Sequence, residues 1–212
     1  MVLLIMTSIF FAAAYSNDGL IQLAKLATVE DKIYRQSYIL SKLQLINRFA
    51  AALLMLSFGY FIDTNDDETS LFILILCILI ALGISLLGLI FWSGFLMKKF
   101  NSDFHLYFYI SSKKTFRVSI IANLFILLGA ILPLSLSPFY YDFRATIMQS
   151  GVVFNTIGTL INVFWIEKEV ADFSELKPNF MRKELAFTLL FSRLVSAIIV
   201  FLLVITIYYF VS

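Results

Sequence analysis

Six apolar runs, each near the length that crosses a bilayer, set the terms for this chain. A spanning helix needs about 17–25 mostly apolar residues. Runs of that order begin at Met1 (to about Tyr15, or to Ala27 if the helix continues through Ser16, Asn17 and Asp18) and recur at Tyr38–Ile62, Leu71–Met97, Phe116–Leu136, Thr146–Ile166 and Leu185–Val211. Of the 212 residues, 61% are hydrophobic and only 14% charged, against about 25% charged in a soluble domain. So few charges cannot coat a water-facing surface, and the solvent implied is lipid. The expected fold is an all-α membrane protein: a polytopic bundle of about six transmembrane helices in one integral membrane domain, residues 1–212.

The first run has a small-residue pattern at Ala12, Ala13 and Ala14 but no basic stretch before its apolar core. It therefore reads as a first span rather than a cleaved signal. Cys77 stands alone in an apolar run, which excludes an internal disulfide and leaves it as a small packing residue. A net charge of +2 gives no footprint for nucleic acid.

Orientation follows from the connections. Lys25, Lys32 and Arg35 lie between the first two runs, with Lys42 opening the second. The next connection holds Asp63, Asp66, Asp67 and Glu68 and neither lysine nor arginine. Lys98, Lys99, Lys113, Lys114 and Arg117 follow the third run, only Asp142 and Arg144 follow the fourth, and Lys168, Lys177, Arg182 and Lys183 follow the fifth. Basic connections stay in the cytoplasm, so both termini are expected outside. Tyr140, Tyr141, Tyr208 and Tyr209 fall near run ends, as an interfacial aromatic belt does. Residues 100–115 are aromatic and bordered by lysines, and are expected along the cytoplasmic headgroups. His105 in that segment, the one histidine of the chain, reads as a headgroup-level polar residue. Pro133 and Pro138 are expected to turn or kink the outer end of the fourth run, and Pro178 to break the connection before the sixth.

Against this background a few polar residues stand out. Arg48 lies about ten residues into the second run, roughly 15 Å deep at the helical rise, with Asn47 beside it and Gln44 one turn before. Arg193 lies in the cytoplasmic half of the sixth run, flanked by Ser192 and Ser196. A charge at mid-membrane costs about 2.5–3.5 kcal/mol or more. Asp18 is the acidic residue expected near that level, as a possible coupling group or ion-pair partner. Two arginines then share one carboxylate, and a second guanidinium needs water, backbone carbonyls, the inner surface or an anionic ligand. The fifth run carries Gly151, Asn155, Gly158, Thr159 and Asn162 at helical spacing, a stripe that serves either as interhelical glue or as a polar lining.

Phosphate is the anion that a planar guanidinium matches. A cavity lined by Arg48, Arg193, Asn155, Asn47, Gln44, Ser196 and Asn162 would take a phosphorylated lipid headgroup while the tail stays between helices. The sequence carries no phosphate-binding glycine loop, HExxH or two-metal carboxylate motif. The expectation is therefore no enzyme, no metal, no cofactor, and a lipid-linked anionic substrate, with oligomeric state open. Such a cavity describes a lipid flippase better than an enzyme, and the alternative is an accessory or assembly subunit without transport activity.

Several segments carry a family likeness. Tyr15-Ser16, Lys25 to Val29 and Asn47-Arg48, with Ser150-Gly151, Asn155 to Thr159 and Ser192 to Val195, resemble the Amj family, the alternate lipid II flippases of bacteria. Asn47 stands where the family has Ser, and Ala50-Ala51-Ala52-Leu53 replaces its Gln-Ala-Pro step. The resemblance implies translocation of an undecaprenyl-pyrophosphate-linked peptidoglycan precursor (lipid II) from the inner to the outer leaflet of the bacterial cytoplasmic membrane, with a flippase for another polyprenyl-phosphate-linked glycan as the alternative. It further implies that Arg48 and Arg193 hold the diphosphate, with Asn155 and Asn162 on sugar or amide groups.

Overall fold

A computed structural model of the chain describes residues 110–137, 139–176 and 179–211, with a scatter of helical positions between Ile9 and Gly83. Helix α1 (Lys113–Leu136) begins where Ser112, in extended conformation, turns its hydroxyl to accept the Thr115 amide hydrogen at 3.4 Å. That side chain satisfies one of the amides that a helix start leaves orphaned. Near the other end Pro133 is inside the helix and buried. Lacking an N–H, it cannot bond the carbonyl of Gly129 four residues back. The chain closes off by hydrogen bonds from Ser137 N–H to Pro133 O (2.9 Å) and from Phe139 N–H to Leu136 O (3.1 Å). It then passes through a 3₁₀ turn, Tyr141–Phe143.

Helix α2 (Arg144–Ile161) continues without a break through a π-helical stretch, Asn162–Glu167, into α3 (Lys168–Leu176). The Asn162 N–H bonds to the carbonyls of both Gly158 and Thr159 as the winding changes. The last helix, α4, runs Asn179–Val211. The connection between the fifth and sixth runs is thus shorter than the charge pattern suggested: Lys168 and Glu169 are helical, and only residues 177–178 separate α3 from α4. Lys177, Pro178 and Pro138 lie outside the described residues, as do residues 100–109. The described part is all-helical, and three helices (Lys113–Leu136, Thr146–Asp172, Glu184–Phe210) are long and apolar enough to cross a membrane.

Helix α1 sits between the other two, packing against α2 on one side and α4 on the other. Half of its apolar window is buried, against 11% for the α2 window. The α1–α2 pair is antiparallel, since Pro133 and Gly129 meet Gly151 while Ala122 and Ile126 meet Gly158. The α1–α4 pair is parallel: Ser119 lies beside Ser192, and Leu127, Ile131 and Leu134 share a core with Ala197, Val200, Val204 and Ile78. These directions are those of successive spans that alternate, and they bring Lys113, Lys114 and Lys168 to the same end as the start of α4.

The α1–α2 contact depends on missing side chains. A Cβ on Gly129 would come within 2.7 Å of Asn155 N and Gly151 O, and one on Gly158 within 2.7–2.8 Å of Ile126 and the Ala122 carbonyl. On Gly151 it would collide with the Gly129 carbonyl and lie 2.8 Å from Pro133 Cγ. The carbonyl that Pro133 leaves without its helical donor is therefore the one Gly151 closes over, an approach that suits a weak Cα–H···O contact. Phe125 and Phe154 stack alongside with centroids 6.0 Å apart.

Gly151→Ala should lower the unfolding free energy in detergent by about 1–3 kcal/mol, the usual cost of overpacking. Gly83, which has nothing within 4 Å of the corresponding position, supplies the comparison. Gly83→Ala should be neutral or stabilising by up to about 1 kcal/mol on helix propensity. Equal effects at the two positions in chemical denaturation would contradict the close-contact account.

Candidate functional site

Sequence spacing puts Thr188, Ser192 and Ser196 four residues apart, on one stripe of α4, and Thr115, Ser119 and Asn123 on one stripe of α1. The parallel packing of the two helices sets these stripes face to face, and all six residues are buried. Ser192 Oγ donates to the Leu189 carbonyl at 2.7 Å, which uses its one hydrogen. The 2.6 Å contact with Ser119 Oγ must then be donated by Ser119. Asn123 Nδ2 donates in turn to Ser119 Oγ (3.3 Å) and Ser192 Oγ (3.4 Å). The result is a directed chain of hydrogen bonds across the interface.

Further contacts extend this seam at both ends. Ser196 Oγ lies 2.8 Å from the Ser192 carbonyl and 3.0 Å from the Ile120 carbonyl on α1. Thr188 Oγ1 donates to the Glu184 carbonyl (2.8 Å) and accepts the Ser111 N–H (2.9 Å), tying the approach to α1 onto α4. Thr115 Oγ1 donates to Glu169 Oε1 at 2.6 Å and so fastens α1 to α3. Stacked rings of Phe116, Phe191 and Phe187, with centroids 5.6 Å apart, run along the same level.

Arg193 is set into this packing. It is 5% exposed, and its Nε has under 1 Å² of accessible surface. It follows Glu184, the first residue of the apolar window, by nine residues, roughly 14 Å along the helix at 1.5 Å per residue. A guanidinium at that depth, next to Ser192 and Ser196, is the most chemically demanding group of the described region.

The remaining sequence-derived candidates distribute unevenly. Ser196 and Arg193 share α4, with the Ser196 hydroxyl turned to backbone carbonyls. Asn155 is on α2, where its backbone N faces Gly129 while the residue is exposed. Asn162 is half-buried at the start of the π stretch. Helix α1 separates α2 from α4, so the described residues do not gather Asn155 with Ser196 and Arg193. Arg48, Asn47, Gln44 and Asp18 lie outside the described residues.

Sequence reasoning passed over Ser119, Asn123, Thr188 and the Thr115–Glu169 pair. Their signal was present as two polar stripes with a four-residue period, but nothing in one dimension says that the stripes meet. The Ser119–Ser192 bond predicts a coupling free energy near 0.6 kcal/mol, and below about 1.7 kcal/mol, in a double-mutant cycle of Ser119→Ala and Ser192→Ala. Unfolding in bicelles measures it, and purely additive effects would contradict the directed chain.

Comparison with protein-family models, with curated proteins and with solved structures finds no significant match to this chain.

Proposed function

We propose that this chain is a lipid flippase. Its substrate in this reading is an undecaprenyl-pyrophosphate-linked peptidoglycan precursor, carried from the inner to the outer leaflet of the bacterial cytoplasmic membrane. The observation that carries it is the buried Arg193, roughly 14 Å into a helix apolar enough to span. A diphosphate is the anion that such a guanidinium matches, through two parallel hydrogen bonds in forked geometry. The residues resembling the Amj family point the same way and supply the headgroup. In this reading six spans place both termini outside, Arg48 is the second phosphate contact, Asn47, Gln44 and Ser196 complete the polar wall, Asn155 and Asn162 meet sugar or amide groups, and Asp18 is a coupling group or ion-pair partner. The basic residues Lys113, Lys114 and Lys168 at one end of the helices support a cytoplasmic placement of that end.

A second reading has its own support. Asn155 is exposed on α2 among Val152, Val153, Ile157 and Leu160, which are exposed as well. An amide on such a face suits docking to another membrane protein, as in an accessory or assembly subunit.

Translocation of a fluorescent lipid II by proteoliposomes distinguishes the two. Arg193→Ala and Arg48→Ala should each slow it by about tenfold or more, the equivalent of a lost charged hydrogen bond, while helicity and insertion stay at wild-type values. Unchanged transport at both positions would sink the anion-site reading, and transport lost only with Asn155→Leu would favour docking. For topology, cysteines placed by Asp66→Cys and Lys113→Cys in a Cys77→Ser background should label from opposite sides, and same-side labelling would overturn the six-span order.

A further inference from the structure

A cleft of about 440 Å³ opens at the basic end of the helices, lined by Ser112, Lys114, Thr115 and Val118 of α1 and its cap, Phe164 and Trp165 of the π stretch, and Lys168, Glu169 and Asp172 of α3. It meets the end of the seam at Thr115 and Glu169, but neither Arg193 nor any other residue of the transport reading lines it. Its volume falls within the range of small-molecule pockets.

The chemistry of the walls is unusual in its balance. Two ammonium groups, Lys114 and Lys168, face two carboxylates, Glu169 and Asp172. Glu169 already accepts the Thr115 hydroxyl at 2.6 Å. Among the described residues Lys114, Lys168 and Asp172 have no ion-pair partner. A simple anion entering the cleft meets two carboxylates, and a simple cation meets two lysines. The ligand that gains from every wall carries both signs.

The aromatic wall says where that ligand comes from. Phe164 and Trp165 are 64% and 54% exposed in the closing turns of a spanning helix, just before the charged Lys168, Glu169 and Asp172, and their rings meet edge to face at 6.3 Å. An exposed tryptophan at such a position belongs to the headgroup layer. The π winding shifts the register of the helix by one residue at this point, a feature frequent at functional sites. Trp165, Lys168 and Asp172 all line this cleft, so ring, cation and carboxylate are presented to one ligand.

We propose that this cleft binds a phosphoethanolamine-type headgroup, a phosphate joined through two carbons to a primary ammonium. Lys114 and Lys168 hold the phosphate, while Asp172, with the Trp165 ring beside it, holds the ammonium. The inference is independent of what, if anything, the chain transports. Phosphatidylglycerol lacks the ammonium, and the trimethylammonium of phosphatidylcholine cannot donate a hydrogen bond to Asp172, so both should bind less well.

Trp165 and Trp92 are the two tryptophans of the chain, so the full chain with Trp92→Phe reports on the cleft by fluorescence. In detergent, short-chain phosphatidylethanolamine should change that signal saturably, at concentrations about fivefold below those needed for phosphatidylglycerol, the scale of one exposed charge pair. Lys168→Gln should weaken the response by a similar factor, Asp172→Asn should erase the preference for phosphatidylethanolamine, and Asp142→Asn, in the 3₁₀ turn far along the chain, should alter nothing. Soluble phosphoethanolamine identifies the source: competition shows that the headgroup suffices, and its failure beside a working lipid shows that the anchored lipid is the ligand. If Trp92→Phe disturbs folding, native mass spectrometry of the wild-type chain counts retained phosphatidylethanolamine against phosphatidylglycerol. Equal binding of the two lipids, or a preference that survives Asp172→Asn, would overturn the proposal.

Discussion

Helices dissolved in hydrocarbon gain little by setting leucine against leucine, because the lipid tails are as apolar as the side chains. What holds α1 between its neighbours must therefore be contact distance and hydrogen bonding. The two sides of α1 divide these between them. Toward α2 the interface is glycine, with Gly129, Gly151 and Gly158 each leaving no room for a Cβ. Toward α4 one stretch is hydroxyl and amide, with Asn123, Ser119 and Ser192 bonded in series, and the stretch beyond it is the apolar cluster of Leu127, Ile131 and Leu134 with Ala197, Val200 and Val204. Both arrangements fix register: a glycine contact fails when one helix slides by a residue, and so does a hydrogen bond.

That division explains a feature that composition alone makes puzzling. The polar residues of α4 sit on the face that meets α1, while the outer face keeps Ile198, Ile199 and Leu202 exposed. Arg193 follows Ser192 in the chain and is buried as well, and a charge inside the protein among polar groups is stabilised more than it would be against lipid.

Toward the basic end the packing changes character. The Thr115–Glu169 bond ties α1 to α3, while the π stretch carries the helix out of regular register just before it. Side chains there are charged or aromatic rather than small. The interior of the three helices is thus specified by close contact and small polar groups, and this end by charged and aromatic side chains. The cleft lies at the junction of the two regimes.

Much of this was legible in one dimension. The lengths of the apolar runs from residue 113 onward and the alternation of basic connections announce membrane helices, because a chain with so few charges has no other solvent. Helix ends were less legible: α4 begins at Asn179 rather than Leu185, and Lys168 and Glu169 are helical, since a polar residue at a membrane surface can prolong a helix as readily as end it. The Gly151–Asn155–Gly158 stripe was visible too, but its two possible uses were not separable. The fold assigns the glycines to contact with α1 and leaves Asn155 exposed. The sequence by itself determined the solvent, the helical class and the periodicity of every polar stripe, because these depend on composition and local spacing. Only the tertiary structure decided that α1 is the central helix of the three, that the stripe of α1 faces that of α4, and that Asn155 is apart from Arg193. Those facts depend on which helices pack in parallel and at what register, and neither is encoded within a single run.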